Sequence, residues 1–186
     1  MKKIKRNIQF VTSLFLVMSF TNSCSQTIKL SNGTKVLSKE YKNINKFNNS
    51  TLKDIDTDYF YEKVDYYMAD KNFKKVRDIG SDVNRKIQFY KNGRVRFFSL
   101  GIEDPNPVNA GRRGIIYSTK NSRKVDTQFA SQGGSISKGT YSLKVENDKI
   151  FLLDDNFLFS NSEYICYEYV KSEKIPEVWK NYNADW

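Results

Sequence analysis

The chain has 186 residues, a formal net charge of +10, 15% aromatic residues, two cysteines and no histidine. Without histidine, Ser-His-Asp and Cys-His catalysis and histidine metal sites are excluded. A non-enzymatic protein with no cofactor and no metal is therefore the expectation.

The chain opens Met1-Lys-Lys-Ile-Lys-Arg6, which puts four positive charges ahead of the first apolar run. That run, Ile8 to Phe20, covers 13 residues. It is shorter than the ~20 residues a membrane-spanning helix needs and matches the h-region of a signal peptide. Small and polar residues follow: Thr21, Asn22, Ser23, Cys24 and Ser25. A cysteine in this place resembles the lipobox of bacterial lipoproteins. The resemblance implies that residues 1–23 are a cleaved signal peptide. It also implies that Cys24 carries diacylglycerol and that its freed amine is acylated, with palmitate as the typical chain. Two or more acyl chains hold a protein stably on a membrane. Ser25, where that family's inner-membrane signal has aspartate, points to the outer membrane. The absence of an acidic run after Cys24 favours its periplasmic face, with the cell surface as the alternative. If Cys24 is acylated, Cys166 has no disulfide partner in the chain. Beyond residue 23, 27 Lys and Arg stand against 21 Asp and Glu. This basic balance either attracts the domain to anionic lipid headgroups or simply keeps it soluble. Export makes nucleic acid a poor partner.

Residues 24–50 read as a lipidated N-terminus and polar tether. Within it, 27–37 form a candidate hairpin: Asn32-Gly33 suits a two-residue turn that sets Ile28 opposite Leu37. A single β-rich domain is expected over 51–186. It begins with a helix over 51–70, where Phe60, Val64, Tyr67 and Met68 fall on one helical face and Asp54, Asp56 and Asp58 favour a helix start. The same three aspartates with Asp65 have the ligand type of a calcium loop. Tyr59 stands where such a loop needs glycine, so the acidic helix start is preferred.

Strands follow. Lys86 to Leu100 reads as a hairpin around Asn92-Gly93, with Ile87, Phe89, Phe98 and Leu100 on one face and Tyr90, Val95 and Phe97 on the other. After a loop from Ile102 to Gly114, residues 113–120 and 125–131 read as strands. A hairpin then turns at Asn147-Asp148, with Tyr141, Leu143, Val145, Ile150 and Leu152 on one face. Glu146 and Lys149 oppose each other beside that turn. Residues 164–170 form the last strand, and Pro176 introduces a short aromatic tail. Seven to nine short strands with sequential hairpins imply a mainly β fold, an antiparallel barrel or strongly curved sheet. Phe89-Tyr-Lys-Asn-Gly-Arg-Val-Arg-Phe97, Gly139-Thr-Tyr-Ser-Leu143 and Asp148-Lys-Ile-Phe-Leu152 resemble the lipocalin-like domains of small bacterial lipoproteins. The resemblance covers about residues 84–170. It implies a cavity for a small apolar or amphipathic ligand.

Candidate sites each have two readings. Arg96 shares its expected face with Ile87, Phe89 and Phe98; it is an anion ligand if that face lines a cavity, or a paired sheet-end residue. Arg112 and Arg113, between two glycines, either clamp a phosphate or carboxylate or form a solvated loop. Trp179, Tyr182 and Trp186, at i, i+3 and i+7, either cap the sheet or present a partner-binding stripe. Cys166 reads as a packed thiol, and Asp154-Asp155 as a strand end. The expected role is a lipid-anchored envelope protein that binds a small amphipathic ligand or envelope component. The alternative is a protein-interaction module: an immunity or inhibitor protein, or an accessory subunit of an envelope complex.

Overall fold

The computed structural model describes residues 27–29, 35–37, 41–80, 85–99, 101, 103–130, 136–155, 163–184 and 186. The expected signal peptide, Cys24 and the Asn32-Gly33 turn lie outside the described residues. Both arms of the first hairpin are described. β1 (Thr27–Lys29) pairs antiparallel with β2 (Lys35–Leu37), with Ile28 opposite Val36, one residue away from the expected register.

Eight strands form a closed antiparallel barrel. In chain order they are β3 (Tyr59–Ala69), β5 (Arg85–Phe89), β6 (Arg94–Ser99), β7 (Arg112–Ser118), β8 (Arg123–Ala130), β9 (Ile136–Glu146), β10 (Lys149–Asp154) and β11 (Tyr164–Lys174). Each pairs with the next, and β11 returns to β3 to close the ring. A short strand, β4 (Lys75–Asp78), pairs with the far half of β3 on the edge that β5 occupies nearer its start. Register shifts between β3 and β11 mark bulges, which bend a strand and increase its twist.

Alternation along the strands builds the core. Tyr61, Ile87, Phe89, Val95, Phe97, Ile116, Val125, Tyr141, Leu143, Ile150, Leu152 and Tyr169 form one buried cluster inside the barrel. Burying each large apolar side chain contributes about 1.5–3 kcal/mol. Phe47, Leu52 and Ile55, from the segment before β3, join the same cluster and plug one end. The Phe47 ring lies against Gly93, where a Cβ would come within 2.5 Å of it.

The β9–β10 hairpin forms as expected. Asn147 and Asp148 both adopt positive φ (51° and 60°), the requirement of a type I′ turn. Glu146 and Lys149 are opposite each other, but their ion pairs go elsewhere: Lys149 to Glu168 (2.6 Å) and Glu146 to Lys144 (2.6 Å).

Two further expectations fail. The helix over 51–70 is absent; Asn49–Leu52 makes one 3-10 turn and Tyr59–Ala69 is strand β3. The strand is buried on both faces at its two ends but not at its centre, so its apolar residues lose the two-residue period and mimic a helical one. Phe60 packs outside the barrel and Tyr61 inside, while Val64 is 54% exposed. The β5–β6 hairpin has a three-residue turn, Lys91-Asn-Gly93, with Gly93 at φ 79° and Tyr90 N–H bonded to Arg94 O. Phe89 therefore pairs with Val95 and Ile87 with Phe97. This one-residue slip exchanges the faces of β6: Val95 and Phe97 point inward, Arg96 and Phe98 outward.

Candidate binding groove

Among the described residues, core side chains occupy the barrel interior. A cavity of about 10 Å³ lies inside it, bordered by Arg85, Phe97, Arg112, Tyr141, Tyr167 and Tyr169. That is room for about one water. Burial pushes the Tyr141 and Tyr169 phenols up from their ordinary values.

Arg112 and Arg113 open strand β7, and neighbouring strand residues point to opposite sides. Arg112 faces the interior, 5.3 Å from the Phe97 ring centroid. Arg113 faces outward, 5.1 Å from the Trp186 ring, and donates to Pro107 O at 3.3 Å. The two do not converge on one point.

Arg96 is fully buried on the outer face. Its guanidinium donates to the carbonyls of Ala110 (2.9 and 2.6 Å), Pro105 (3.1 Å) and Asn106 (3.0 Å). It also stacks 4.5 Å from the Phe98 ring centroid. These contacts fold the 103–111 connection back onto the barrel wall.

The C-terminal arm lies across the outer face of β3, β5, β6 and β7. It leaves β11 at Ile175, whose N–H bonds Asp58 O at 2.9 Å, and makes one 3-10 turn over Glu177–Asn181. Trp179 packs edge-on against Phe60 (5.1 Å) and Phe98 (5.8 Å). Trp186 is 1% exposed, packs edge-on against Tyr90 (5.7 Å) and donates to Gly114 O at 2.9 Å. Between these anchors Asn92 donates to Ala184 O at 2.6 Å. The three aromatics do not form one helical stripe. Both tryptophans are anchors, and Tyr182 is 38% exposed.

The arm bridges the sheet and leaves a groove of about 340 Å³ beneath it. Trp179, Lys180, Tyr182 and Asn183 border it from the arm, Gln88, Tyr90 and Asn92 from the β5–β6 hairpin, and Thr57 and Asp58 from the approach to β3. Gln88 Oε1 accepts from the Tyr90 hydroxyl at 2.9 Å, which holds both side chains. Of the groove residues, the sequence singled out Trp179 and Tyr182 as candidate binders. The others come from three separated segments and carry no local motif.

Asp65 pairs with Lys75 (3.0 Å), while Asp56 and Asp58 pair with Lys171 and Lys180 (each 3.4 Å), so no calcium loop is assembled. No group of three or more Cys, Asp or Glu among the described residues is placed to hold a metal. Asp154 is paired with the inward Tyr141, whereas Asp155 bonds Lys124 and Ser142. The two carboxylates do not share a site. Cys166 is fully buried, and burial pushes its thiol up to about 12.

Comparison of the chain with protein families, curated proteins and solved structures gives no match.

Proposed function

We propose that the protein is a lipid-anchored, non-enzymatic binding module of the cell envelope. In this reading residues 1–23 direct export and Cys24 holds the barrel at the outer membrane, facing the periplasm. The barrel then carries a small amphipathic ligand or envelope component in the groove beneath the C-terminal arm.

The contrast in space supports this choice: about 340 Å³ under the arm against about 10 Å³ inside the barrel. Small-molecule sites occupy roughly 300–1,000 Å³ and combine apolar walls with a few polar groups. An eight-stranded barrel is wide enough for one small ligand or for its own side chains. Here Tyr61, Phe89, Phe97 and Tyr141 take that room.

Native mass spectrometry of the chain from Ser25 tests the site. A co-purifying small molecule is expected, and Trp179→Ala should lose it. A ligand retained by the variant, or a parent protein that is always empty, overturns the groove reading. Palmitate labelling in cells, abolished by Cys24→Ala, tests the anchor.

A protein partner is the second reading. Val178 (57% exposed) and Tyr182 (38%) present apolar surface on the arm. A partner captured by crosslinking and lost with Val178→Asp and Tyr182→Asp would favour it.

A further inference from the structure

Four aromatic residues line the groove: Tyr90, Trp179, Tyr182 and Phe89, the last a member of the barrel core. Beside them are uncharged hydrogen-bonding side chains: Thr57, Gln88, Asn92 and Asn183. The charges at the rim largely compensate one another. Lys180 Nζ lies 3.4 Å from Asp58 and 2.8 Å from Glu177. Lys91 is the remaining charged groove residue among those described. Of the three arginines with anion-binding chemistry in the sequence, Arg113 donates to a loop carbonyl and Arg112 lies inside the barrel, while Arg96, 5.9 Å from the Trp179 ring, spends its donors on the carbonyls of Ala110, Pro105 and Asn106. Among the described residues no arginine lines the groove.

What it offers is apolar ring surface next to the exposed Asn183 amide, which both donates and accepts. Packing against Phe60 and Phe98 fixes the Trp179 ring before any ligand arrives, and a preorganised wall lowers the cost of binding. A pyranose has the matching chemistry: an apolar ring face, a periphery of hydroxyls and no charge. The volume lies at the small end of ligand sites, which favours one ring over a long chain. We infer that the groove binds a single neutral sugar ring, free or as one unit of an envelope glycan. The ring packs against Trp179, and its hydroxyls reach the exposed Asn183 amide. This rests on the groove being the binding site.

The only two tryptophans are Trp179 and Trp186. Trp186 is 1% exposed while Trp179 lines the groove, and loss of the fluorescence change in Trp179→Phe assigns it to Trp179. The purified full chain in detergent is titrated with glucose, N-acetylglucosamine and maltotriose, with octanoate and inorganic phosphate as competing chemistries. At least one saccharide should give a saturable change. Asn183→Ala should weaken it roughly fivefold, the loss of one hydrogen bond, at an unchanged unfolding midpoint. Saturation by octanoate or phosphate but by no saccharide overturns the sugar and leaves the groove reading standing. Saccharide binding untouched by both Asn183→Ala and Trp179→Ala, read by calorimetry, overturns the groove reading as well. No response to any saccharide overturns the inference.

Discussion

The Trp186 indole donates to the Gly114 carbonyl at 2.9 Å, tying the arm to the middle of the barrel wall. Trp179 fixes the arm at its other end. The groove is thus a span held at two points, and its shape depends on both anchors.

Trp186→Phe keeps a smaller aromatic ring, removes the donor and leaves part of the indole volume empty. It should cost about 2 kcal/mol, from the lost hydrogen bond, the carbonyl left unpaired and the cavity. Trp186→Ala removes the ring as well and should cost about 3–5 kcal/mol. Urea unfolding midpoints of the two variants measure the difference.

Arg96→Lys should be destabilising despite keeping the charge. A lysine ammonium has three donors and no plane, so it cannot reproduce the bonds to Ala110, Asn106 and Pro105 together with the stack on Phe98. A loss of about 2–3 kcal/mol is expected. Limited proteolysis should show new cleavage within 103–111.

Cys166 should be inert in the folded protein. The thiolate is the reactive form, and this thiol is fully buried with its pKa pushed up to about 12. A thiol reagent at neutral pH should label it only after denaturant is added. Fast labelling of the native chain would contradict its placement on β11.

Stability should fall at alkaline pH. The Tyr41, Tyr67, Tyr117 and Tyr169 phenols are all raised above their ordinary value, in each case chiefly by burial. A phenol is neutral when protonated, so the folded state keeps its protons longer than the unfolded chain does. Their contribution is fully present below about pH 10, the ordinary tyrosine pKa, and is lost as pH rises above it. Denaturation followed from pH 8 upward, with tyrosinate absorbance as a second signal, should show the two changing together.

The β9–β10 hairpin was legible because Asn147 and Asp148 both tolerate positive φ and the flanking strands alternate cleanly. The β5–β6 hairpin was legible in kind but not in register. Asn92-Gly93 suits a two-residue turn, yet Gly93 equally serves as the left-handed third residue of a longer one. That single residue decides whether Arg96 faces the interior or the loop carbonyls, so its role was hidden with the register. β3 was obscured because burial of both faces at its two ends, with an exposed Val64 between them, erased its period. The groove was the least legible element, since Asp58, Gln88 and Asn183 meet only through tertiary packing.

The seam where β3 meets β11 sets an order for assembly. Tyr59 pairs with Lys174, and Ala69 with Tyr164. Every other strand of the ring lies between them in the chain, so closure waits for the last strand to arrive. Until then β3 and β10 each present a row of unpaired backbone groups, the surface on which partly folded chains associate. Pairing this distant in sequence is intrinsically slow. A chain threaded across a membrane from its N-terminus would therefore carry an open sheet until β11 emerged. The vulnerable interval of this protein is the delay before the ring shuts.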